Sequence, residues 1–228
     1  MPAARFELAR PRALMVRGGW EGHEPVATTE LFLPVLEQAG FSVEIHDDLA
    51  VYDDEERLAH TDLIVQCWSM GHLSDERAER LAGAVRAGTG FAGWHGGVVA
   101  AFKGNERYWQ LTGGVFVAHP GDMRPHSYDI VAERADHPIV AGLGPFHAYT
   151  EQYWVLTDDL DDVLVTTTHP ADSHTPWPRP VTVPAVWTRQ WGAGRVFVST
   201  IGHHRPDFDT AHVHTLTARG LLWAGRAL

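Results

Sequence analysis

The sequence predicts an α/β protein whose mostly parallel sheet carries helices on both faces and gains antiparallel strands toward the end of the chain. Short apolar runs alternate with helical patterns through the first half, whereas the second half contains several strands with no long helices between them. The 228 residues are 44% hydrophobic, which is enough for a sizeable core without disulfides. We therefore expect a single domain over residues 1–228, with an ordered core from about residue 13 to residue 226.

Four strands and two helices are predicted in the first half. Gly40 and Gly88 are stop signals for the two helices, and Ser74 supplies an N-cap for the second. Strands separated by helices of this length imply right-handed crossovers and a parallel sheet, whose ligands bind in the crevice at the carboxyl ends of the strands. The predicted strands cover residues 13–16, 41–45, 62–67 and 90–93, and the predicted helices cover residues 31–39 and 74–88.

The second half has a different pattern. Residues 191–194 predict a hairpin turn, residues 209–225 predict a closing helix, and four prolines within residues 174–184 predict a surface loop. The predicted strands cover residues 127–132, 153–156, 163–168, 185–189 and 195–200.

Composition and charge exclude several classes of function. The chain carries 18 Lys and Arg against 29 Asp and Glu, and this net charge of −11 would repel a nucleic-acid backbone. No apolar run approaches the roughly 18 residues of a membrane span. The single cysteine, Cys67, excludes an intrachain disulfide, and residues 1–12 lack the apolar stretch of a signal peptide. These features predict a cytoplasmic protein with no nucleic-acid or membrane partner.

Fifteen histidines are an unusually large number for this length, and one of them occupies a glycine-rich turn. His95 is the central residue of Gly-Trp-His-Gly-Gly at positions 93–97, in the strand, tight turn and helix context of a nucleophile elbow. The central residue of such a turn projects into the crevice, and its glycines permit a strained backbone. A glutaminase would need a cysteine there, because a thiolate attacks the amide. Close packing alone is the alternative explanation of these glycines.

Further candidates follow other predicted strands. His23 ends a glycine-rich loop after the first strand, and His203 follows the strongest late strand. Glu151 opens a predicted strand, where an acid is disfavoured unless it is exposed or serves a site. His119 lies in a loop, and a solvated loop histidine is the alternative interpretation for it and for His23. Of the adjacent His203 and His204, only one is expected to face a site, and we favour His203.

Histidines together with one carboxylate match a zinc or manganese site with an open position. The candidate metal ligands are His23, His95, His119, Glu151 and His203. Imidazole ligands must be deprotonated, so metal occupancy should fall as the pH drops through about 6. The glycine-rich loop lacks both the GxGxxG spacing and a Walker lysine, so no nucleotide cofactor is expected.

Two tryptophans on the glycine loops, Trp20 and Trp94, are candidate platforms on which a sugar ring could stack. Gly19 and Gly96 belong to the same loops, and we expect them to help bind the substrate.

Segments in order along nearly the whole chain resemble the trehalose-utilisation (ThuA-like) family. The matching segments are the opening strand with Gly18-Gly19 and His23, then residues 93–97, 108–114 leading to 119–120, 137–139, 151–153, 194–203 and 222–224. The most specific part is Gly-Arg-Val-Phe-Val-Ser-Thr-Ile-Gly-His at positions 194–203. The resemblance implies a flavodoxin-like, class I glutamine amidotransferase-like three-layer sandwich without glutaminase chemistry, and a role in disaccharide or ketosugar catabolism.

The function that we expect is catalysis on a 3-keto-glycoside. A ketone acidifies its neighbouring C–H bonds, so a base can remove a proton if the enolate oxygen is stabilised by a metal or by histidines. Glu151 would be the general base, and His95 and His203 would stabilise the oxyanion or bind the metal. The enzyme would then be an isomerase, a lyase or a hydrolase, and an NAD-dependent sugar dehydrogenase would be its pathway partner.

Two other classes of function compete with this hypothesis. One is a non-catalytic sugar-binding or regulatory module that has an amidotransferase-like fold without the nucleophilic cysteine. The other is a glycosidase with two carboxylates, although no second acid is evident near Glu151. A homo-oligomer is compatible with the sequence.

Overall fold

The computed structural model describes residues 10–228, which form a mixed α/β structure around one large sheet. The strands are β1 (Arg12–Gly19), β2 (Ser42–His46), β3 (Leu63–Ser69), β4 (Gly90–Trp94), β5 (Gly114–Ala118), β6 (Met123–Ile130), β7 (Phe146–Glu151), β8 (Trp154–Thr157), β9 (Asp162–His169), β10 (Val181–Trp191) and β11 (Gly194–Ser199). The helices are α1 (Pro25–Glu30), α2 (Leu33–Gln38), α3 (Glu55–Ala59), α4 (Asp75–Ala87), α5 (Glu106–Thr112) and α6 (Ala211–Ala224).

The nine-stranded sheet has the order β2-β1-β3-β4-β11-β10-β9-β6-β7. Its first five strands are parallel to one another, and the remaining neighbours are antiparallel. Strands β5 and β8 form a separate antiparallel pair. The predicted fold class, a parallel sheet with added antiparallel strands, is confirmed.

Side chains of β1 alternate between the two faces of the sheet, and both faces are covered by helices. Met15 belongs to the hydrophobic cluster that also contains Leu36 of α2 and residues of α6. Leu14 packs into the cluster on the other face, together with Leu81 of α4 and Leu111 of α5. The near-continuous apolar run of β1 is therefore buried on both sides, as the central strands of an α/β sheet require.

The position of β11 brings the two halves of the chain together. This late strand lies beside β4 and runs parallel to it, with Ser199 opposite Trp94. The loops that follow β4 and β11 therefore leave the sheet at the same edge. Residues about one hundred positions apart in sequence can meet there.

Three expectations about local structure were wrong. Strand β10 begins at Val181, so the predicted loop 174–184 ends earlier, and Pro184 lies at a register irregularity where a missing N–H is tolerated. Glu151 ends β7 and does not open a strand. The turn at His95 continues as a 3-10 turn, and the next α-helix begins only at Glu106.

Candidate metal centre

Three histidines follow the carboxyl ends of three parallel strands. His23 ends a 3-10 turn after β1, His95 begins one after β4, and His203 follows β11. Glu151 is the last residue of β7, the outermost strand in the sheet order, and it completes the group. Each of the four offers a ligand atom, and these atoms lie within 4.8 Å of one another. We refer to these four residues as the His/Glu cluster.

Three atoms at the centre of the cluster lie at nearly equal separations. Oε2 of Glu151 is 3.1 Å from Nε2 of His95 and 3.2 Å from Nδ1 of His203. The two nitrogens are 3.2 Å apart. Tetrahedral ligands bound to one zinc ion at about 2.0–2.1 Å are themselves roughly 3.3 Å apart. The observed spacing is therefore close to that of ligands around a shared ion.

The hydrogen bonds behind the cluster determine which nitrogens face its centre. Nδ1 of His95 lies 2.8 Å from the carbonyl oxygen of Thr200, so this nitrogen carries the proton and donates it. Nε2 of a neutral His95 then directs a lone pair at the carboxylate of Glu151. Nδ1 of His23 is paired with the hydroxyl of Ser69 at 2.5 Å, which leaves Nε2 of His23 for the cluster. Lone pairs and a negative charge face each other, and these residues could hold a metal ion.

Burial favours the protonation states that metal binding needs. Burial, assisted by the neighbouring histidines His95 and His203, lowers the pKa of His23 to about 3. Burial also lowers the pKa of His95, and the nearby carboxylate of Glu151 only partly opposes this effect. Burial by itself would raise the pKa of Glu151, but the close contacts with His203 and His95 outweigh it and hold that pKa far below its usual value. At neutral pH the cluster therefore contains neutral imidazole at His23 and His95 and an ionised carboxylate.

Backbone geometry and ring stacking hold His95 in position. His95 has a φ of 49°, in the left-handed region that residues other than glycine rarely adopt. The ring of Tyr153 stacks on it, with ring centres 4.0 Å apart and planes 28° apart. This strained turn after β4 directs the imidazole toward Glu151 and His203.

Two residues predicted to bind substrate are buried instead. Trp94 is 1% exposed and packs against Phe32 and Phe208, because neighbouring residues at the strand end point to opposite sides and His95 takes the side of the His/Glu cluster. Gly96 is buried, and a Cβ there would lie 2.0 Å from the ring of His23. Gly96 therefore makes room for His23. The predictions of substrate contact at Trp94 and Gly96 are wrong.

Trp20 and Gly19 lie at the carboxyl end of β1, close to the His/Glu cluster. Trp20 is 46% exposed, and its ring centre lies 4.7 Å from that of His23 and 6.4 Å from that of His203. Gly19 has a φ of 81°, and a Cβ there would lie 2.0 Å from the carbonyl oxygen of Ser69. Gly19 thus allows the ends of β1 and β3 to approach each other, while Trp20 offers an exposed ring beside the cluster.

His119, a predicted metal ligand, lies beside the cluster and not in it. Its Nε2 is 3.9 Å from Oε1 of Glu151, and its side chain is 35% exposed. Its Nδ1 lies 3.0 Å from the carboxylate of Asp122. His119 therefore lies beside Oε1 of Glu151, whereas His95 and His203 contact Oε2.

Sequence patterns missed the residues that position His203. The backbone N–H of His203 donates to Oδ2 of the buried Asp207 at 2.9 Å, and Thr150 donates its hydroxyl to the same oxygen. The other oxygen of Asp207 lies 2.6 Å from Nδ1 of His204, so His204 is turned away from the cluster. Ser69 could have been found, because it ends β3 at the same edge of the sheet. Asp207 lies in a 3-10 turn after the strand and carried no comparable signal.

Cys67 is a core residue. It is 2% exposed, and its sulfur lies 3.7 Å from the hydroxyl of Thr28. Burial raises the pKa of its thiol to about 12, so this cysteine lacks the thiolate character of a nucleophile.

Comparison with solved structures places the fold among ThuA-like proteins. A ThuA-like protein from Bacteroides uniformis ATCC 8492 is 19% identical with a TM-score of 0.75, covering 98% of this chain and 95% of that one. A ThuA-like protein from Parabacteroides merdae ATCC 43184 is 18% identical with a TM-score of 0.72, covering 95% and 90%. A cytoplasmic protein from Salmonella typhimurium LT2 is 14% identical with a TM-score of 0.60, covering 93% and 99%.

A search of curated proteins returned no match. Within residues 10–228, the structure contains no helix that is long and apolar enough to cross a membrane.

A protein-family model gives the assignment that similarity of fold alone does not. The model for ThuA, described as trehalose utilisation, matches residues 12–224, which is nearly the whole chain. The chain therefore belongs to the ThuA trehalose-utilisation family.

Proposed function

We propose that this protein acts on a 3-keto sugar by removing a proton from the carbon beside the ketone. The observation that carries the proposal is the His/Glu cluster, where one carboxylate and three histidines meet at the carboxyl edge of the sheet. Membership of a trehalose-utilisation family supports a carbohydrate substrate. Removal of this proton leads either to isomerisation or to elimination of the glycosidic oxygen.

Zinc is the ion that we propose for the cluster, and manganese is the alternative. His23, His95, His203 and Glu151 would hold it. Three imidazole nitrogens and one carboxylate oxygen suit either ion. When bound, a divalent ion polarises a ketone oxygen and stabilises the negative charge that develops there.

Glu151 is the residue to which we assign proton removal. Its Oε2 contacts His95 and His203, whereas its Oε1 lies 3.9 Å from Nε2 of His119. Oε1 is therefore the oxygen available to accept a proton from carbon. His119 is partly exposed and has the carboxylate of Asp122 at 3.0 Å from its other nitrogen, so it can exchange that proton with solvent.

Trp20 is the residue to which we assign contact with the sugar ring. It is 46% exposed and lies beside His23 and His203. An aromatic face of this kind provides apolar contact for the C–H face of a sugar. The substrate would be a ketosugar made by a partner such as an NAD-dependent sugar dehydrogenase, and we place the reaction in the cytoplasm.

The experiment that tests this function follows the transferred proton. A 3-keto-glucoside is incubated with the protein in deuterium oxide, and incorporation at the carbon beside the ketone is followed by NMR. Wild type should replace the original hydrogen with deuterium if it isomerises the sugar, or lose that hydrogen without replacement if it eliminates the glycosidic oxygen. Glu151→Gln should lower kcat on the order of 10²–10⁴-fold and retain the original hydrogen. His119→Asn should slow the exchange but leave metal binding intact.

Exposed residues far from the cluster provide matched controls. Glu133→Gln removes a carboxylate and His147→Asn removes an imidazole from the surface, so both should behave as wild type. Turnover by wild type that retains the original hydrogen beside the ketone, together with a fully active Glu151→Gln, would contradict proton abstraction. Tight ketosugar binding with no turnover would favour the non-catalytic module.

A glycosidase with two carboxylates receives less support from the site. Asp207 is the buried acid beside the cluster, but both of its oxygens are engaged, one by His203 and Thr150 and the other by His204. Asp122 is the acid beside His119, and its side chain is largely exposed to solvent. Neither is paired with Glu151 across a cleft in the way that glycoside hydrolysis requires.

A further inference from the structure

A small apolar pocket lies beside the His/Glu cluster. Its volume is about 240 Å³, and it is lined by Met70, Gly71, Ala100, Lys103 and Phe116. Sites for whole small molecules typically enclose roughly 300–1,000 Å³, so this one has room for one part of a larger ligand. We refer to it as the Lys103 pocket.

Backbone hydrogen bonds fix the walls of the Lys103 pocket. The N–H of Met70 donates to the carbonyl of Ala100 at 3.1 Å, and the N–H of Phe102 donates to the carbonyl of Met70 at 3.0 Å. The N–H of Phe116 donates to the carbonyl of Val99 at 2.9 Å. Met70 and Phe102 have φ values of 60° and 49°. Strained residues of this kind cluster at functional sites and persist only where the surrounding structure holds them.

Phe116 joins the Lys103 pocket to the His/Glu cluster. Its ring centre lies 4.4 Å from that of Tyr153, which stacks on His95 at 4.0 Å. Phe116 also stacks on His119 at 5.6 Å, and His119 faces Oε1 of Glu151. A ligand group in this pocket would therefore lie next to the residues that we propose to move the proton.

Lys103 supplies the charge of the pocket, and it is the only lysine in the sequence. Its Nζ lies 5.9 Å from the centre of the Phe116 ring. Within the part of the chain that the structure describes, no carboxylate forms a salt bridge with it. The chain has a net charge of −11, so an ammonium group that stays unpaired here is available to an anion from outside.

We propose that the Lys103 pocket binds the aglycone of the substrate, and that this aglycone is a flat apolar ring carrying a carboxylate. Phe116, Met70 and Ala100 suit the face of a ring, and the ammonium group suits a carboxylate on its edge. A second sugar ring would leave several hydroxyl groups with a single polar side chain as partner. The inference rests on the proposed function, because it needs the ketone-bearing ring to occupy the cluster.

A comparison of three substrates tests the pocket by kinetics. The 3-keto-glucosides of 4-hydroxybenzoate and of phenol are compared with a 3-keto-disaccharide. Wild type should prefer the carboxylated aryl substrate. Lys103→Met should lower the ratio of kcat/KM for the carboxylated over the unsubstituted aryl substrate by about 10-fold, the effect of one charge-assisted hydrogen bond. Lys103→Arg should restore most of this ratio, and the exposed-loop control Arg179→Met should retain it.

Chemical modification of Lys103 provides a second readout that needs neither metal nor ketosugar. Reductive methylation modifies this single lysine and the amino terminus, and the amino terminus serves as the internal control. Benzoate should slow methylation of Lys103 in a concentration-dependent way, whereas benzyl alcohol should have no effect, as mass spectrometry can show.

The two readouts distinguish failure of the pocket from failure of the proposed function. An absence of protection by benzoate, an unchanged ratio in Lys103→Met, or a preference of wild type for the disaccharide each overturns the pocket. If wild type turns over no ketosugar, the proposed function fails. Protection by benzoate would then still support an aryl carboxylate site at Lys103, and its absence would overturn that site too.

Discussion

Two groups of buried polar side chains lie at opposite edges of the parallel strands, and they differ in how their charge is balanced. Arg189 in β10 is 3% exposed, and its Nη1 lies 3.1 Å from Asp161 and 3.1 Å from Asp158. Here the chain supplies both the cation and the carboxyl groups that face it. In the His/Glu cluster, Glu151 faces imidazole nitrogens, and within residues 10–228 no lysine or arginine forms a salt bridge with it.

The two groups also lie at different ends of the parallel strands, in agreement with the difference in charge balance. Arg189 pairs with Val196 near the start of β11, at the amino edge of the parallel strands, whereas ligands of such sheets bind at the carboxyl edge. Burial raises the pKa of Asp161 to about 7, and the neighbouring Arg189 only partly opposes this effect. A buried charge whose partners belong to the chain has a structural role, and a buried group that lacks its counter-charge is prepared for a ligand.

The largest expected effect comes from removing a cluster residue. His203→Ala should lower kcat on the order of 10²–10⁴-fold and reduce metal binding, because it removes one of the three closely spaced ligand atoms. The hydrogen bond from His203 to the buried Asp207 is made by its backbone N–H and survives the substitution, so the unfolding free energy of the protein stripped of metal should change by about 1 kcal/mol or less. Activity assays, metal analysis and urea unfolding check these outcomes. A variant with unimpaired metal binding would place the ion elsewhere.

Removal of the buried arginine should lower the stability of the protein but leave metal binding and activity unchanged. Arg189→Met leaves Asp161 and Asp158 without their cation, so the free energy of unfolding should fall by about 3 kcal/mol. Metal content and the ratio of activity to folded protein should stay at wild-type values. Arg179→Met, in an exposed loop, is the matched control and should be neutral. Loss of metal from Arg189→Met would mean that the two groups are coupled.

The sequence predicts the carboxyl-edge histidines because one rule, proximity to the end of a parallel strand, applies to all of them. His23, His95 and His203 each follow such a strand, and the structure brings them together. The same rule would have included Ser69, which ends β3. Trp94 shows where the rule fails. Side chains of successive residues at a strand end point to opposite sides, and the strained φ of His95 places its side chain, and not that of Trp94, on the side of the cluster.

The residue that the antiparallel strands contribute to the cluster, Glu151, was harder to predict. Strand β7 reads Phe-His-Ala-Tyr-Thr-Glu, and its exposed Tyr149 and buried Thr150 obscure the usual alternation of apolar and polar residues. Its order in the sheet depends on pairing with β6, which is a long-range choice that local patterns do not contain. The residue type of Glu151 therefore suggested a role beside His95, whereas its position in the sequence offered no reason to expect the two to meet.

Acidification should reveal how much the burial of His23 in the cluster contributes to the stability of the protein. An unfolded histidine gains a proton below about pH 6.5, whereas folded His23 resists protonation until its pKa of about 3. The contribution of His23 to stability is therefore fully present above pH 6.5 and is lost as the pH falls toward 3. Protons therefore compete with the metal for His23 only at a lower pH. The protein should then retain metal below the pH of about 6 that is expected for free imidazoles.

Urea unfolding of the chelated protein at about pH 7.5 and about pH 5 measures this contribution. The loss of unfolding free energy between the two values should be smaller in His23→Asn than in wild type. The surface variant His147→Asn should lose as much as wild type does. Equal losses in all three proteins would show that His23 is not shielded from protons.

The smallest expected effect comes from the residue behind His23. Ser69→Ala removes the hydroxyl 2.5 Å from Nδ1 of His23 and should weaken metal binding by about 10-fold, the lower range for a residue that orients a ligand. Titration calorimetry with zinc measures the change. Ser42→Ala in β2 removes an exposed hydroxyl and should bind zinc as wild type does. An unchanged affinity in Ser69→Ala would mean that packing against Gly96 alone orients His23.

Metal stoichiometry decides whether the His/Glu cluster holds a divalent ion. Wild type and Glu151→Gln are stripped with chelator, dialysed against zinc, freed of excess zinc by gel filtration and analysed by plasma mass spectrometry. We expect one zinc ion per chain in wild type and a strongly reduced content in Glu151→Gln, with both proteins folded. A wild type without stoichiometric zinc or manganese, or a Glu151→Gln protein that binds as much as wild type, would contradict this expectation.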